Sequence, residues 1–332
     1  MESINLFGVD VKLKTHFCSL LGQEHRKVEE PYINLYIRTK YCNARCPFCT
    51  YHSDASKWNE KRYIEVLKEL SSKIRIGKLA FSGGEPMLYW ENFKSMVQIG
   101  KDFTPYSEFS LNTDGLRWER FFSDPIWKGF DYIQLSRHHY DDKINDQIFK
   151  TKTPTSEMIK AVSEIQLNPH QIQFRCNLIK DYIDSKEEVF KYLDWANSVG
   201  INDIGLVSLM PINDFSKENY IYFHIKELIG ENFLLTKTQQ RHGGGCECFN
   251  YVYMPSEDEF RRPIRVYHKN TFAPNDIHET LVFDGYNVRL GFEGPIIYWK
   301  STKLSDSSHQ TLNSSTPAVC VFNPNECLTY SV

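Results

Sequence analysis

The chain has 332 residues, of which 41% are hydrophobic and 24% are charged, and its formal net charge is −3. This composition is that of an ordinary globular protein, and the length predicts one large domain or two smaller ones. Because acidic and basic residues are mixed along the chain, the charge gives no support to a nucleic-acid partner. No apolar run approaches the ~20 residues that cross a bilayer, and no signal peptide is recognisable, so a cytoplasmic protein without a membrane partner is expected.

From residue 32 to residue 210, short β-rich runs alternate with helical patterns. The predicted strands are 33–38, 78–82, 108–112, 132–136, 172–178 and 204–209. Helices between them are predicted from apolar residues at three- and four-residue spacing, and Ser185 with Glu188 has the spacing of a capping box. Six strand–helix repeats predict an α/β fold, a partial, open (β/α)6 TIM barrel with helices outside a parallel sheet. Ligands of such sheets bind at the carboxyl ends of the strands.

The repeat ends at Met210-Pro211, and three regions are therefore predicted. Residues 1–30 form an N-terminal extension, residues 31–211 the barrel, and residues 212–332 a smaller α+β C-terminal domain for substrate or an auxiliary cofactor. Within the last region, a helical stretch is expected near 220–229. A hairpin is expected to turn at Asp284-Gly285.

Directly after the first predicted strand stand Cys42, Cys46 and Cys49, with C-x3-C-x2-C spacing. Three thiolates in one loop can hold three corners of a cubane iron–sulfur cluster and leave the fourth iron without a protein ligand. A zinc site is the alternative, because zinc takes four ligands and His52 lies close enough in sequence to be the fourth. The odd number of cysteines, nine, argues against a disulfide scaffold.

The second predicted strand ends in Ser82-Gly83-Gly84-Glu85-Pro86. The two glycines allow the backbone to approach a ligand closely, and Glu85 and the free carbonyls can accept hydrogen bonds from an amino group. The alternative is a tight turn between a strand and a helix.

Together these segments resemble the signature of the radical S-adenosylmethionine (SAM) superfamily, CxxxCxΦC after the first strand, with Phe48 at the aromatic position, and GGEP after the second. The resemblance implies a [4Fe–4S] cluster on the three cysteines, with SAM chelating the open iron. It also implies that Phe48 lies near the adenine and that the Gly-Gly-Glu-Pro residues hold the amino group. The implied SAM-binding residues are Phe48, Gly83, Gly84, Glu85, Pro86, Asn112, Ser136, Asn177 and Met210.

The last four of these residues, at the ends of later strands, each have an alternative interpretation: a capped turn, a polar core residue or a helix stop. Asn112 begins a segment similar to the T-N-G element of the family, in which Asp114 replaces the Asn. His138 and His139 come directly after Ser136. One of them can serve as a proton donor or acceptor in the site, and the alternative is a solvated loop histidine. Cys176 is expected to be a buried thiol.

The activity that the resemblance implies is reductive cleavage of SAM to methionine and a 5′-deoxyadenosyl radical, which takes hydrogen from a substrate. An electron donor such as flavodoxin or ferredoxin is implied as a partner. Residues 32–211 are similar to the branch of the molybdenum-cofactor GTP 3′,8-cyclase and the SPASM/Twitch proteins, but the tail begins Cys246-Glu-Cys248 rather than C-x2-C.

A small-molecule substrate, anionic or nucleotide-like, is favoured because only ~30 residues precede the barrel, too few for a separate peptide-binding domain. The alternatives are an enzyme that modifies ribosomal peptides and a zinc or iron–sulfur protein without SAM chemistry. Four arginines are suited to bind an anionic substrate: Arg261, Arg262, Arg265 and Arg289. The alternative is that they are solvated surface residues.

Four cysteines of the tail can supply the four thiolates of a second iron–sulfur cluster: Cys246, Cys248, Cys320 and Cys327. A zinc site and free thiols are the alternatives.

Overall fold

The computed structural model describes residues 3–17, 26–49, 57–223, 233–242, 246–255, 262–271, 280–291 and 294–298, which belong to one compact unit, Met1–Trp299. The strands are β1 Ser3–Leu6, β2 Val9–Lys12, β3 Lys14–Phe17, β4 Arg26–Thr39, β5 Arg75–Gly83, β6 Glu108–Thr113, β7 Tyr132–Ser136, β8 Ile172–Leu178, β9 Asp203–Ser208, β10 Phe233–His242, β11 Cys246–Tyr253, β12 Ile264–Thr271, β13 Thr280–Phe283, β14 Val288–Leu290 and β15 Ile296–Tyr298. The α-helices are α1 Glu60–Ser71, α2 Trp90–Phe103, α3 Trp118–Ser123, α4 Asp142–Phe149, α5 Ser156–Ser163, α6 Lys186–Ser198 and α7 Asp214–Glu218, and 3-10 helices span Pro86–Leu88 and Pro125–Gly129.

The core of the fold is a parallel sheet in which β4 to β9 lie side by side in chain order. Polar N-cap side chains begin the helices on its outer face; Asn59, Asp141, Thr155 and Ser185 each accept a hydrogen bond from a backbone N–H of the first turn. The predicted strands all coincide with β4 to β9, and the α/β fold with a mostly parallel central sheet is confirmed.

The sheet is curved rather than flat. On a flat sheet β4 and β8, four strand spacings apart, would be separated by about 19 Å. Phe48, which follows β4, nevertheless packs in one cluster with Ile179, which follows β8, and Leu209, which follows β9. The inner face therefore encloses a lumen, as expected for a partial barrel.

The two faces of the sheet differ in polarity because side chains alternate along each strand. The outer face is apolar: Ile33, Leu35 and Ile37 of β4 are fully buried, and Phe174 of β8 stacks on Trp195 of α6 with ring centroids 5.2 Å apart. The inner face is polar, and its residues pair across the strands. Examples are the Lys78–Glu108 ion pair (2.9 Å) and the hydrogen bond from Gln134 Nε2 to Gln173 Oε1 (3.1 Å).

Strands that follow residue 211 extend this sheet at both edges. β12 pairs in parallel with β9, and β13 pairs in parallel with β4, so eight adjacent strands in the described part of the chain are parallel. The predicted hairpin around Asp284-Gly285 is present as β13 and β14. The sheet thus continues past the predicted boundary at residue 211. The division of the chain into three regions stays a prediction.

The helix predicted near 220–229 is absent where the structure describes it, at residues 220–223. The carbonyl of Phe223 instead accepts a hydrogen bond from Asn270 Nδ2 on β12 (2.9 Å), and the Tyr222 hydroxyl donates to Glu247 on β11 (3.0 Å). These contacts hold the segment against the sheet in a nonhelical conformation.

The N-terminal residues also contribute to the core. β1 and β2 form a hairpin in which Leu6 and Val11 are fully buried, and β3 pairs antiparallel with β4. No helix among the described residues combines the length and the apolar character needed to cross a membrane.

Candidate functional site

The three cysteines of the C-x3-C-x2-C segment lie in the loop that follows β4, at the carboxyl edge of the sheet. The loop, residues 40–49, is folded by local hydrogen bonds: Cys42 Sγ accepts from the Ala44 N–H (3.3 Å), and the Cys49 N–H donates to the Cys46 carbonyl (3.1 Å). Cys42 is exposed, Cys46 is buried and Cys49 is intermediate, and none of the three forms a disulfide with a described residue. We call this segment the cysteine loop.

The donor set suits a cluster, in which each thiolate ligates a different iron. No three His, Cys, Asp or Glu side chains within the described ranges converge as ligands of one metal ion. Burial raises the pKa of Cys42 to about 12; the Ala44 N–H opposes this effect, while the carboxyl groups of Asp114 and Glu85 add to it. Bound iron would reverse this balance, because a metal cation deprotonates a coordinating thiol. His52, the residue suggested for zinc, lies outside the described residues.

The Gly-Gly-Glu-Pro segment at the end of β5 is packed directly against the cysteine loop. The Gly84 N–H donates to the Thr39 carbonyl (2.9 Å) and the Glu85 N–H to the Tyr41 carbonyl (2.8 Å). A Cβ at Gly84 would lie 2.1 Å from the Tyr41 oxygen, and Gly83 has a φ of +99°. Both positions therefore require glycine, and the two loops form one continuous surface.

Glu85 is buried (2% exposed), and both its carboxylate oxygens accept hydrogen bonds from the chain. Oε1 accepts from the Met87 N–H (2.9 Å), which caps the following 3-10 helix. Oε2 accepts from the Thr113 hydroxyl (2.8 Å) and the Asp114 N–H (2.9 Å). Glu85 thus joins the end of β5 to the end of β6, and its contact with SAM stays a prediction.

Buried polar atoms without hydrogen-bond partners are concentrated at this edge of the sheet. In the described part of the chain they include Thr39 Oγ1, both amide atoms of Asn43, Asn112 Oδ1 and Asp114 Oδ2. Such atoms cost free energy unless a ligand or water satisfies them. The arrangement therefore fits a polar ligand bound beside the cysteine loop.

Phe48, the aromatic residue of the cysteine loop, borders an apolar surface on the other side. It packs against buried Ile148, Ile179 and Leu209, and its ring meets His138 edge to face with centroids 5.1 Å apart. An aromatic and aliphatic surface of this kind suits a planar ring such as adenine.

His138 is buried rather than a solvated loop residue (4% exposed). Its ring stacks on Phe149 at 4.8 Å, and its Nδ1 accepts a hydrogen bond from the Asn177 N–H (3.0 Å). Burial lowers its pKa to about 3, so the imidazole is neutral. His139 is buried too, with Nδ1 accepting from the Asp141 N–H (2.9 Å), and Cys176 is the buried thiol that was expected.

The other predicted SAM contacts stand where β6 to β9 end. Asn112 Nδ2 donates to Ser82 Oγ (3.1 Å), and Ser136 and Asn177 are the partly buried residues at the carboxyl ends of β7 and β8. Met210 follows β9, and its carbonyl accepts from the Ile212 N–H (2.8 Å). The strand order places these positions on one edge, and their contacts with SAM stay predictions.

Sequence reasoning missed Asn213, which connects the far end of the sheet to the cysteine loop. Its Nδ2 donates to the Pro47 carbonyl (3.2 Å), while its side chain and Ser216 form a capping box on α7. An Asn three residues before a Ser was the available signal for the cap. The contact with Pro47 depends on tertiary structure and has no sequence signal.

Sequence reasoning also missed Arg175, which lies in the lumen one layer below Asn177. It packs over Gly205 of β9 and donates to the Phe174 carbonyl and to Gln173 Oε1, both at 3.2 Å. Burial lowers its pKa to about 10. Within the described residues, no carboxylate forms an ion pair with it. The polar alternation Gln173, Arg175, Asn177 in an otherwise apolar strand was the signal.

The arginines named from sequence are otherwise engaged. Both Nε and Nη2 of Arg265 bind Asp203 (2.5 Å each), and Arg289 Nε donates to Asp284 (3.3 Å). Arg262 is exposed, and Arg261 lies outside the described residues. The expectation that Arg265 and Arg289 receive an anion is not supported, because buried aspartates already neutralise them.

Of the four tail cysteines, the structure describes the two in β11. Both belong to the strand Cys246–Tyr253, two residues apart. Cys248 is buried, with Sγ 3.0 Å from the Tyr267 hydroxyl of β12. Cys320 and Cys327 lie outside the described residues.

The curved parallel sheet and the cysteine loop at its carboxyl edge define an α/β-barrel protein with a thiol-rich site. The sequence profile of the Radical SAM superfamily matches residues 36–221. The chain therefore belongs to the radical SAM superfamily, a class of enzymes whose cofactors are SAM and a [4Fe–4S] cluster.

Similar proteins include two curated relatives. A probable GTP 3′,8-cyclase of Saccharolobus islandicus (strain Y.N.15.51 / Yellowstone #2) is 27% identical over 187 residues, which cover 52% of this chain and 56% of that protein. The GTP 3′,8-cyclase of Paracoccus denitrificans (strain Pd 1222) is 23% identical over 222 residues, 62% of each chain. The chain thus spans little more than half the length of the curated relatives it matches.

Among solved structures, Streptococcus suis SuiB bound to precursor peptide SuiA aligns with a TM-score of 0.47 and 17% identity. The alignment covers 57% of this chain and 42% of SuiB.

Proposed function

We propose that this chain is a radical SAM enzyme that reductively cleaves SAM at a [4Fe–4S] cluster held by Cys42, Cys46 and Cys49. The observation that carries the proposal is the direct contact between the cysteine loop and the Gly-Gly-Glu-Pro segment, through Gly84 and Glu85. That contact brings three thiols and a group of unsatisfied polar atoms to one place. When bound and reduced, the cluster supplies the electron that cleaves SAM to methionine and a 5′-deoxyadenosyl radical.

The chain itself binds and orients SAM in this proposal. Gly83, Gly84 and Glu85 border the position of the amino group, and Pro86 begins the 3-10 helix that Glu85 caps. Phe48 and the neutral, immobilised His138 ring border the adenine. The apolar residues around Phe48 exclude water from the reacting atoms.

The alternatives from another class, a zinc protein and an iron–sulfur protein without SAM chemistry, are separated by spectroscopy. The protein is reconstituted anaerobically with iron and sulfide, reduced, and examined by electron paramagnetic resonance with and without SAM. A cluster signal that changes when SAM is added supports the proposal, because SAM then ligates the open iron. A cluster signal that SAM leaves unchanged, or zinc without a cluster, contradicts it.

We further propose a small-molecule substrate that carries an anionic group, in the manner of a nucleotide. Arg175 is a half-buried cation of the lumen without an ion-pair partner among the described residues, and Asp203 is already paired with Arg265. A partly buried charge of this kind is stabilised when an anion binds it. Phosphate and carboxylate groups match the planar guanidinium best.

Replacing Arg175 by Met is expected to weaken binding of an anionic substrate by about tenfold or more, the range for a hydrogen bond to a charged group. Met keeps the length of the side chain that covers Gly205. GTP and tripolyphosphate are the probes, with dissociation constants measured by equilibrium dialysis on the SAM-loaded protein. The exposed Arg262→Met is the matched control. Equal affinities in wild type and Arg175→Met would contradict the assignment.

Modification of a ribosomal peptide is the alternative within the same enzyme class. Its discriminating result is simple: a precursor peptide encoded beside this protein would bind, whereas GTP and tripolyphosphate would not. A flavodoxin or ferredoxin electron donor and a cytoplasmic location also remain proposals.

We propose, in addition, that the tail binds a second cluster through Cys246, Cys248, Cys320 and Cys327. The number of cysteines supports it, because a closed cubane needs four thiolates. The hydrogen bond between Cys248 and Tyr267 opposes it.

Iron and sulfide counting on the reconstituted protein is expected to give about eight irons per chain, two cubanes, rather than about four. The double variant Cys320→Ser/Cys327→Ser should lower the count to about four, since a closed cubane needs four thiolates. A wild-type count of about four, unchanged in the double variant, would leave only the cluster of the cysteine loop.

A further inference from the structure

An exposed pair of aromatic side chains stands beside the solvent-facing part of the cysteine loop. Cys42 is exposed, and Tyr41, immediately before it, has 40% of its surface exposed. The Tyr41 ring meets the ring of Tyr89, which is 54% exposed, edge to face with centroids 5.7 Å apart. Lys40 Nζ lies 5.7 Å from the centroid of the Tyr41 ring. An aromatic surface with a cation on it therefore borders one proposed ligand of the cluster.

Three more basic side chains lie along the same surface. Arg117 donates from Nε and Nη2 to the backbone carbonyls of residues 87 and 88 (3.1 and 3.3 Å), just before the second tyrosine. The Arg45 N–H donates to the Phe149 carbonyl (2.9 Å), which places Lys150 beside the cysteine loop. All three are exposed. We call the whole set the basic strip: Lys40, Tyr41, Arg45, Tyr89, Arg117 and Lys150.

The basic strip carries four formal positive charges on a chain whose net charge is −3. Within the described ranges, none of its four cations forms an ion pair. Two acidic residues next to it along the chain are already neutralised, Glu91 by Lys94 (3.2 Å) and Asp146 by Lys152 (2.9 Å). Glu119, an exposed acid of α3, offsets one of the four charges. The strip thus stays positive and complements an acidic surface.

A protein that delivers electrons fits this surface better than a substrate does. An electron donor has to approach the cluster from outside, and of the three proposed ligands Cys42 is the exposed one. Redox partners form small interfaces, whose rates of association depend on charge. Tyrosine and arginine are enriched at protein interfaces. The cation proposed for the substrate, Arg175, is instead on the inner face of β8.

We propose that the basic strip is the docking surface of an acidic one-electron donor of the flavodoxin or ferredoxin class. This inference rests on the proposed function, since it assigns the entry point of the electron that cleaves SAM. In this step the reduced donor loses one electron and the cluster gains it, and no bond forms or breaks. The four cations face carboxylates of the donor, and the tyrosine pair supplies the apolar part of the contact.

The test compares the anaerobically reconstituted wild type with the triple variant Lys40→Gln/Arg45→Gln/Lys150→Gln. An acidic bacterial flavodoxin and an acidic ferredoxin are the probes. Calorimetry gives the affinity for each oxidised donor, and stopped-flow absorbance gives the rate at which each reduced donor reduces the cluster. At low salt the triple variant is expected to lose about tenfold or more in both, the range over which charge steering acts. The difference should shrink at high salt, which screens exposed charges.

The matched control is Arg75→Gln/Lys128→Gln/Lys160→Gln, which removes three exposed charges on the amino-terminal side of β5, β7 and β8. This variant should bind both donors and be reduced by them like the wild type. Dithionite is a small reductant that needs no docking surface. It should therefore drive formation of 5′-deoxyadenosine equally in the wild type and both variants.

Equal affinities and equal reduction rates in the wild type and the strip variant would overturn the inference. It would also be overturned if neither donor bound the wild type at low salt, or if the control variant shared the loss. A strip variant that keeps both donors but loses GTP and tripolyphosphate would assign the strip to the substrate instead. A wild type that forms no 5′-deoxyadenosine with dithionite contradicts the proposed function itself, and this is measured before any donor is added.

Discussion

Replacing Cys42, Cys46 and Cys49 together by alanine is expected to abolish formation of 5′-deoxyadenosine from SAM and to leave the sheet folded. The three thiols are the proposed ligands of the cluster, and without them no open iron is available to SAM. The cysteine loop lies outside the main core; Cys46 belongs to a small satellite cluster with Ala44 and Phe149. The loss of stability should therefore be small. Product formation is measured by chromatography after dithionite reduction, and folding by circular dichroism.

The matched control is Cys176→Ala, which removes a fully buried thiol from the outer face of β8. The variant should keep the iron of the cysteine loop, because Cys176 is not a proposed ligand. In the wild type, the Cys176 thiol donates to the His138 carbonyl instead. Continued formation of 5′-deoxyadenosine by the triple variant would show that the cluster is held elsewhere.

Gly84→Ala is expected to separate the cysteine loop from the Gly-Gly-Glu-Pro segment and to abolish SAM binding. The added Cβ would lie 2.1 Å from the backbone oxygen of Tyr41, which cannot move away without breaking the hydrogen bond that it accepts from the Glu85 N–H. Overpacking of this kind costs about 1–3 kcal/mol of stability, so the fold should survive. Equilibrium dialysis with SAM and a thermal melt check the two effects.

The control for Gly84→Ala is Gly129→Ala, at the end of the 3-10 helix before β7. There the added Cβ meets the end of the flexible Lys101 side chain, which can turn away into solvent. This variant should bind SAM like the wild type. Normal SAM binding by Gly84→Ala would mean that the contact between the two loops does not build the site.

The central sheet was predictable because its signals are local. Strands β4 to β9 have apolar residues on one face and polar residues on the other, and each ends at the residues that carry the motifs. The helices between them begin at recognisable caps such as Ser185. Motif spacing after each strand then sufficed to place the candidate site at the carboxyl edge.

The outer strands were not predictable because their partners are distant in sequence. β12 joins β9 and β13 joins β4 at opposite edges of the sheet, and no local pattern specifies either pairing. The segment at residues 220–223 was wrongly expected to be helical, since its contacts with Asn270 and Glu247 outweigh the local pattern.

Within the site, the sequence indicated which residues gather but not how they are used. Glu85 was expected to contact SAM, and the structure shows that three groups of the chain already donate to it. The Glu85 and Asp114 carboxyl groups come to lie beside each other through the conformation of a turn, which no motif encodes.

The most direct test of the central claim is the fate of SAM on the anaerobically reconstituted wild-type protein with dithionite as reductant. Methionine and 5′-deoxyadenosine are expected to form in equal amounts, and only when the cluster is present and reduced. Intact SAM after incubation with a fully loaded, reduced cluster would contradict it.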